Sequence, residues 1–193
     1  QQVRLRWQRI KGVSTGFQLL AETDLDLILE ELAVLKPDIA IIDSIQALQD
    51  ENLSSAPGSV AQVRECAAAL QRLAKQEDIA LLIVGHVTKE GMLAGPKVLE
   101  HLVDAVLTFE GDRFASHRIL RAVKNRYGAT FELGVFEMQG EGLVEVNNPS
   151  ELFFSGECAT GIATILTYEG TRCLAVDLQA LISATTYASP RRT

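Results

Sequence analysis

The chain has 193 residues, of which 47% are hydrophobic and 22% are charged, and its formal net charge is −7. This length is sufficient for one domain with a full hydrophobic core and for part of a second domain. Because no apolar run reaches the ~18 residues that a membrane helix needs, we expect no membrane partner. The acidic balance argues against nucleic-acid binding over the whole surface, so a phosphate-bearing partner must contact local basic patches, which lie at residues 4–11 and 113–126.

The three cysteines, Cys66, Cys158 and Cys173, are widely separated in the sequence. Their spacing matches neither a zinc-binding pattern nor a disulfide framework, which favours a reducing compartment and therefore a cytoplasmic location. We expect all three to be small, buried hydrophobic side chains.

The first half of the chain alternates helical patterns with short apolar runs. A helix is predicted after the N-cap candidates Thr23 and Asp24, because leucine and isoleucine recur there at helical spacing until Pro37 ends the pattern. The other predicted elements are a short strand at Phe17–Leu20, a strand at 39–42 that ends at Asp43, a loop at 50–59, a helix at Val60–Gln76 and a strand at Ile79–Val84. This alternation is typical of βαβ units with a parallel sheet, whose strands are buried on both faces.

From Ala105 onward, strand-like runs are joined by short turns that contain Gly or Asp, which is typical of antiparallel hairpins. A linker is predicted from Pro149 to Gly156, followed by one more hairpin that breaks off near the C-terminus. The predicted strands are Ala105–Phe109, Arg118–Val123, Phe131–Glu137, Gly142–Val146, Ile162–Tyr168 and Cys173–Ile182. The sequence therefore predicts an α/β fold with a mostly parallel sheet, flanking helices and a C-terminal antiparallel extension.

A carboxylate, Asp43, stands where the strand at 39–42 ends, and the hydroxyl of Ser44 follows it. In open α/β sheets, ligands bind outside the carboxyl ends of the strands, so an acid there can hold Mg²⁺ beside the phosphates of a nucleotide. This is the Walker B arrangement of P-loop NTPases. The alternative is an aspartate that caps the following turn.

The next predicted strand ends at Gly85, and His86 and Lys89 follow it, where an imidazole and an amine could sense a phosphate or an attacking water. The alternative for His86 is a structural, hydrogen-bonded histidine. Residues 90–97 contain two glycines, a proline and flanking lysines, a composition suited to a mobile loop that contacts a ligand or a nucleic-acid backbone. The alternative is a plain crossover loop.

The pentapeptide Lys124–Gly128 carries two cations at strand spacing. A period of two residues puts Lys124 and Arg126 on the same face of a strand, where they could bind one phosphate group. An arginine at a strand end, directed outward, could also act as an arginine finger for a neighbouring subunit. The alternative is an ordinary basic strand end.

Several longer strings resemble the bacterial RadA (Sms) DNA-repair ATPases, namely residues 42–46, 55–65, 85–89, 93–100 and 124–128. In the last of these, Tyr127 stands where the family motif Lys-Asn-Arg-Phe-Gly has Phe. The resemblance runs from about residue 1 to Phe154, and the last ~40 residues resemble the start of the family's Lon-protease-like domain. It implies two domains, a RecA-like ATPase core at 1–154 and the beginning of the Lon-protease-like domain at 155–193.

The resemblance implies a DNA-dependent ATPase that forms a homo-oligomeric, hexameric ring, holds single-stranded or branched DNA, and drives branch migration of recombination intermediates. ATP and Mg²⁺ are the implied cofactors, and the RecA recombinase is an implied partner. Carried over by residue, Asp43 positions Mg²⁺ through water, and Lys124 and Arg126 act on the neighbour's nucleotide. The implied nucleotide contacts are Asp43, Ser44, His86 and Lys89, and the implied DNA contacts are Ser55, Gly58, Gly91, Gly95, Lys97, Lys124 and Arg126.

The chain departs from the family pattern in two respects. It has no four-cysteine zinc module, so zinc is expected only in that module of the parent protein, and it has no Gly-x-x-x-x-Gly-Lys-Ser/Thr P-loop. Because the sequence begins with Gln1 rather than Met, we expect it to be an excised segment. Because it has no P-loop, we expect this segment to bind ATP weakly and not to hydrolyse it. A replicative-helicase-like ring ATPase and a non-catalytic oligomerisation module are the alternative functions.

Overall fold

A computed structural model describes residues 16–86, 96–111, 116–130, 132–140, 142–156, 159–170 and 172–184. These residues form two compact units. The helical unit comprises the described residues within 16–106 and 124–127, and the strand unit comprises those within 107–123 and 128–184. The predicted domain boundary between residues 154 and 155 falls inside the strand unit and stays a prediction.

The helical unit begins with helix α1, Leu25–Leu35. The Asp24 side chain caps it by accepting hydrogen bonds from the backbone N–H groups of Asp26 and Leu27, as the sequence predicts. The helix ends at Lys36, which adopts a left-handed conformation with φ of 43° just before Pro37. The further elements of this unit are β1 Ile39–Asp43, a 3₁₀ turn at Ile45–Ala47, α2 Val60–Gln76, β2 Ala80–Val84 and α3 Pro96–Glu100.

The two strands β1 and β2 pair in parallel, with a register that runs from Ile39 opposite Ala80 to Asp43 opposite Val84. One face of this pair packs, through Ile42 and Ile83 among others, against a core built by α1, α2 and the 3₁₀ turn. The buried members of that core are Leu25, Ile28, Ile45, Leu48, Val63, Cys66, Ala67 and Leu70. Burial in this apolar cluster raises the pKa of the Cys66 thiol to about 11.

The prediction that these strands are buried on both faces is wrong. Ile39 and Ile41 are 61% and 62% exposed, and Leu82 beside them in β2 is 52% exposed. Side chains alternate across a strand, so these residues share the face opposite to the core. In the described part of the chain, helices cover the pair from the core side, and its second apolar face is open to solvent.

The strand unit contains a four-stranded sheet in the order β3-β4-β5-β6. Its strands β5 Leu133–Gln139 and β6 Gly142–Glu145 pair antiparallel, and β5 also pairs antiparallel with β4. The other elements are β3 Ala105–Glu110, β4 His117–Asn125, a short helix α4 Ser150–Phe153, and the antiparallel hairpin of β7 Ile162–Glu169 with β8 Arg172–Gln179. The first two residues of β3, Ala105 and Val106, and the last two of β4, Lys124 and Asn125, belong to the helical unit.

The predicted α/β class is confirmed, and so is the change from parallel to antiparallel pairing after residue 105. Three local predictions are wrong. Residues 17–20 form no strand, because within the described residues β1 pairs with β2 alone and offers them no partner. The predicted linker 149–156 contains α4, and Cys173 is exposed rather than buried, whereas Cys158 lies outside the described residues.

The loop predicted at 90–97 is tested only at its end, where Pro96 begins α3. Residues 87–95 lie outside the described residues. No helix in the described part of the chain combines the length and the apolarity that crossing a membrane requires.

Candidate functional site

The carboxyl ends of β1 and β2 bring two predicted site residues together. Asp43 is the last residue of β1, and His86 follows β2 by two positions, so parallel pairing in register places both at one edge. The Asp43 Oδ1 atom lies 3.9 Å from the His86 Nε2 atom, and the two side chains are 70% and 71% exposed. Such a long, solvated contact is weak, so both groups are free to bind a ligand.

Ser44, the second predicted residue at this edge, connects β1 to the 3₁₀ turn. The peptide bond between Asp43 and Ser44 is cis, and the Ser44 carbonyl oxygen accepts a hydrogen bond of 3.0 Å from the Ala47 N–H. Its hydroxyl makes no capping bond to that turn. Ser44 therefore lies beside Asp43 with a half-buried side chain that does not stabilise the turn.

Gln46 lies behind this edge, and the sequence predicts it in the same group as Asp43 and Ser44 but assigns it no contact to a ligand. Its Nε2 atom donates a hydrogen bond of 3.2 Å to the backbone oxygen of His86. Its Oε1 atom is buried and has no hydrogen-bond partner among the described residues. The only sequence signal was its position three residues after Asp43, which puts it on the same connection between β1 and the loop that follows.

The predicted loop at 50–59, which contains the predicted DNA contacts Ser55 and Gly58, is tied to helix α2 through one buried amide. Gln62, which is 0% exposed, accepts a hydrogen bond from the Asp50 N–H at 2.9 Å. It also donates bonds of 3.0 Å to the backbone oxygens of Asp50 and Ser55. The Ser55 hydroxyl is buried, again with no partner in the described part of the chain. In this arrangement that hydroxyl faces the protein, so contact with DNA would require the loop to open.

Gly58, the other predicted DNA residue in this loop, has a φ of +76°. A Cβ atom built there would lie 3.4 Å from the backbone oxygen of Gln46. The position therefore favours glycine through its conformation, whereas a Cβ atom there would make an ordinary van der Waals contact.

The two predicted cations lie on one side of the helical unit. The Lys124 ammonium donates hydrogen bonds of 2.6 and 2.7 Å to the backbone oxygens of Glu100 and Val103. Arg126 forms an ion pair of 3.2 Å with Asp104, yet its side chain remains 65% exposed. Of the two predicted cations, Lys124 thus fixes the turn after α3, whereas Arg126 is the one that an incoming anion can reach.

Both cations line an open pocket of about 470 Å³. Its wall is cationic, with the ammonium of Lys75 from α2 as a third positive charge and Asp104 as its one carboxylate. Gln71 donates a hydrogen bond to the Leu102 backbone oxygen, which ties α2 to the turn that forms the pocket floor. Asp43 and His86 do not line this pocket, so the predicted residues form two separate groups in the helical unit.

Three further predicted residues, Lys89, Gly91 and Gly95, lie outside the described residues. The backbone of Lys97 lies in α3. The predictions for these four residues stay predictions.

A magnesium ion fits the residues at the strand edge in one particular way. The described residues contain no group of three or more His, Cys, Asp or Glu side chains that could hold a metal ion by themselves. Mg²⁺, however, is usually held by one or two carboxylates together with the phosphates of a substrate. The exposed carboxylate of Asp43 fits that donor set, with a nucleotide supplying the remaining oxygens.

The sequence is similar to curated proteins described as DNA repair protein RadA. It is 64% identical over 176 residues to the protein of Synechocystis sp., covering 90% of this chain and 35% of that protein. It is 50% identical over 194 residues to the protein of Halalkalibacterium halodurans, covering 100% of this chain and 42% of that protein. The chain thus spans less than half the length of these relatives.

No family model matches the chain. Among solved structures, a KaiC-like protein from Pyrococcus horikoshii OT3 aligns with a TM-score of 0.45 and 18% identity, covering 63% of this chain and 55% of that one.

Proposed function

This chain belongs to the bacterial RadA family of DNA repair proteins, and from that premise we propose that it is part of the ATPase core of a DNA-dependent ATPase. The parent protein, meaning a protein of full RadA length that contains this chain, would hydrolyse ATP with Mg²⁺ as a hexameric ring on single-stranded or branched DNA. It would drive branch migration of recombination intermediates in the cytoplasm, with the RecA recombinase as a partner. Zinc would be bound outside this chain.

The observation that carries the proposal is the meeting of Asp43 and His86 at the carboxyl edge of a parallel strand pair. This edge is where open α/β sheets bind their ligands. In the proposed site, the Asp43 carboxylate holds Mg²⁺ through water, and the ion neutralises charge on the phosphates. Ser44, His86 and Lys89 would supply the remaining contacts to the nucleotide.

The cationic group has a different role in the proposal. The exposed guanidinium of Arg126 would exchange Asp104 for a phosphate, since a guanidinium binds both anions through the same pair of N–H donors. Lys124 would act by positioning, because its bonds to Glu100 and Val103 hold the turn that presents Asp104. Arg126 would thus contact the nucleotide of a neighbouring subunit.

The DNA side of the proposal rests on the loops and the same cations. Single-stranded DNA would contact the protein through its phosphates at Ser55, Gly58, Gly91, Gly95, Lys97 and Arg126, and Lys124 would support these contacts by holding the turn after α3. Because such affinity comes from counterion release, it should fall steeply as the salt concentration rises.

The test compares two aspartates at opposite ends of the same strand in the parent protein. Asp43→Asn should lower the DNA-stimulated rate of ATP hydrolysis about a hundredfold or more, because a metal ion contributes several kcal/mol of charge stabilisation to phosphoryl transfer. Asp38→Asn, an equivalent change immediately before the first residue of β1, should leave the rate unchanged. Undiminished Mg²⁺-dependent hydrolysis by the Asp43→Asn protein would contradict the proposal.

A non-catalytic oligomerisation module is favoured by one observation, namely that Lys124 and Arg126 both have partners inside their own unit. The wild-type proteins in the same assay distinguish the two functions. A parent protein that forms rings but does not hydrolyse ATP would support the module. The 193-residue chain, which lacks a P-loop, should bind ATP weakly and show no measurable hydrolysis under either function.

A further inference from the structure

Gln46 connects the strand edge to the predicted DNA loop within a few ångströms. Its neighbour Ile45 is completely buried, which anchors the 3₁₀ turn in the core. From that anchor, the Gln46 amide nitrogen reaches the backbone oxygen of His86 at 3.2 Å. A Cβ atom built on Gly85 would lie 3.7 Å from the same nitrogen, so the amide packs directly against the end of β2.

The backbone of Gln46 faces the loop at 50–59. Its carbonyl oxygen would lie 3.4 Å from a Cβ atom at Gly58, whose φ of +76° few other residues adopt. The opposite side of the loop is fixed to α2 by the hydrogen bonds of Gln62 to Asp50 and Ser55. A shift of the His86 backbone would therefore reach the loop where the Gln46 carbonyl approaches Gly58.

Two polar atoms in this arrangement have unused hydrogen-bonding capacity. Gln46 Oε1 and Ser55 Oγ are both buried, and neither finds a hydrogen-bond partner within the described residues. Buried polar groups are nearly always paired, and an unpaired one costs free energy that a second arrangement can recover. One of these atoms belongs to the connecting residue and the other to the loop that it contacts.

We propose that Gln46 is a positioning residue that couples occupancy of the Asp43–His86 edge to the conformation of the 50–59 loop. A nucleotide at the edge would displace His86, the Gln46 amide would follow its hydrogen-bond partner, and the Gln46 carbonyl would move against Gly58. The loop would then change its presentation to DNA. This inference rests on the proposed function and specifies how its two ligands influence each other.

The test measures coupling in the parent protein. The quantity is the ratio of the single-stranded DNA dissociation constants measured without and with a non-hydrolysable ATP analogue and Mg²⁺. Gln46→Met keeps the length of the side chain but removes its donor, and it should reduce the ratio about fivefold, the equilibrium effect of one lost hydrogen bond. The affinity for each ligand alone should stay within about twofold, because Gln46 contacts neither ligand.

Two further variants define the result. Gln49→Met, at an exposed position three residues away, should leave the coupling ratio unchanged. Gly58→Ala, which strains the loop at a φ of +76° where it approaches Gln46, should reduce the ratio as Gln46→Met does. A purely structural role for Gln46 would instead lower the melting temperature and both affinities while preserving the ratio.

The outcomes separate the inference from the function on which it rests. A wild-type parent that binds neither nucleotide nor DNA overturns both. If the wild-type protein shows coupling and the Gln46→Met protein has the same coupling ratio, the inference alone is overturned. Should the variants fail to fold, hydrogen exchange in the wild type decides: the amides of residues 50–59 should change their exchange rates when Mg²⁺ and the analogue bind, and unchanged rates overturn the coupling.

Discussion

The core of the helical unit and the β7–β8 hairpin of the strand unit differ in what surrounds their apolar side chains. In the helical unit, leucines and isoleucines from α1, α2 and the 3₁₀ turn exclude water from one another. In the described part of the hairpin, Leu174 is the buried apolar side chain, whereas Leu166 and Tyr168 are 72% and 75% exposed. The hairpin instead has a full antiparallel ladder from Ile162–Gln179 to Glu169–Arg172.

A polar cluster adds to that ladder. The Asp177 carboxylate accepts hydrogen bonds from the N–H and hydroxyl of Ser155, at 2.7 and 2.6 Å, and from the Thr164 hydroxyl at 2.8 Å. A two-stranded hairpin with exposed faces is at best marginally stable by itself. The comparison shows that apolar residues in a sequence do not by themselves indicate an apolar core: the hairpin contains five leucine and isoleucine residues, yet polar contacts hold its base.

The largest expected effect on stability comes from replacing one leucine by alanine in each of the two regions. Leu70→Ala in α2 should lower the free energy of unfolding by about 2–5 kcal/mol, because this side chain is 1% exposed and its removal leaves a cavity. Leu166→Ala in β7 should change stability by no more than about 0.5 kcal/mol, as is usual for exposed positions. Urea unfolding followed by circular dichroism at the helix band measures the first change.

Hydrogen exchange of the β7 amides measures the second change, since the hairpin contributes no helical signal. Equal losses for the two leucines would show that the apolar residues of the hairpin are covered in solution. The distinction between the two regions would then be wrong.

Sequence reasoning predicted the long helices well, because their ends are marked locally. Asp24 and Pro37 delimit α1, and α2 has the predicted bounds. The helices α3 and α4, with five and four residues, are too short to show a helical period. The apolar pattern of β1 and β2 predicted burial on both faces, because residues such as Ile41 have the same pattern whether or not a second layer covers them; the missing P-loop was the signal for an uncovered face.

The positions of Asp43 and His86 were predictable from one rule, that parallel strands in register end at the same edge. Their roles, and those of the other predicted site residues, stay predictions. The partners of Lys124 could not be predicted, because they are backbone oxygens more than twenty residues away and carry no sequence signature. Gln62 does carry a signal in the sequence, because it is a polar residue on the apolar face of α2.

A smaller effect on the free energy of unfolding is expected from the helix caps of the helical unit. Substitutions there test how much polar contacts stabilise the unit relative to the apolar core. Asp24→Ala should lower the free energy of unfolding by about 1 kcal/mol, since its carboxylate accepts two backbone N–H bonds and lies at the positive end of the helix dipole. Ser59→Ala should cost less, because the Ser59 hydroxyl meets the Gln62 N–H at 3.4 Å, longer than usual.

The same urea titration measures both caps, and Leu70→Ala provides the scale. A Ser59→Ala protein that loses more stability than Asp24→Ala would show that the cap distances do not describe these helices in solution. If a cap substitution lowers the free energy of unfolding as much as Leu70→Ala does, polar and apolar contacts do not differ in how much they stabilise this unit.

The smallest effect concerns the polar cluster of the hairpin and depends on pH. The Ser155 hydroxyl first, then the Ser155 N–H and the Thr164 hydroxyl, lower the pKa of Asp177, because they donate to its ionised form. A carboxyl whose pKa is lower in the folded state stabilises it above the unfolded pKa, and this contribution disappears as the pH falls through the folded pKa. Protection of the β7–β8 amides from hydrogen exchange should therefore decrease as the pH falls below the unfolded value of about 3.9 and through the lowered pKa of Asp177.

Asp177→Asn should remove this decrease, because an amide does not titrate and accepts fewer hydrogen bonds, whereas Glu145→Gln at the exposed end of β6 should retain it. A carbon-13 titration of the Asp177 carboxyl should give a midpoint below the value of about 3.9 for free aspartate. A midpoint at or above that value would mean that Ser155 and Thr164 do not hold the carboxylate in solution. Since the hairpin has so few buried side chains, its exchange rates would then have to reflect the backbone ladder alone.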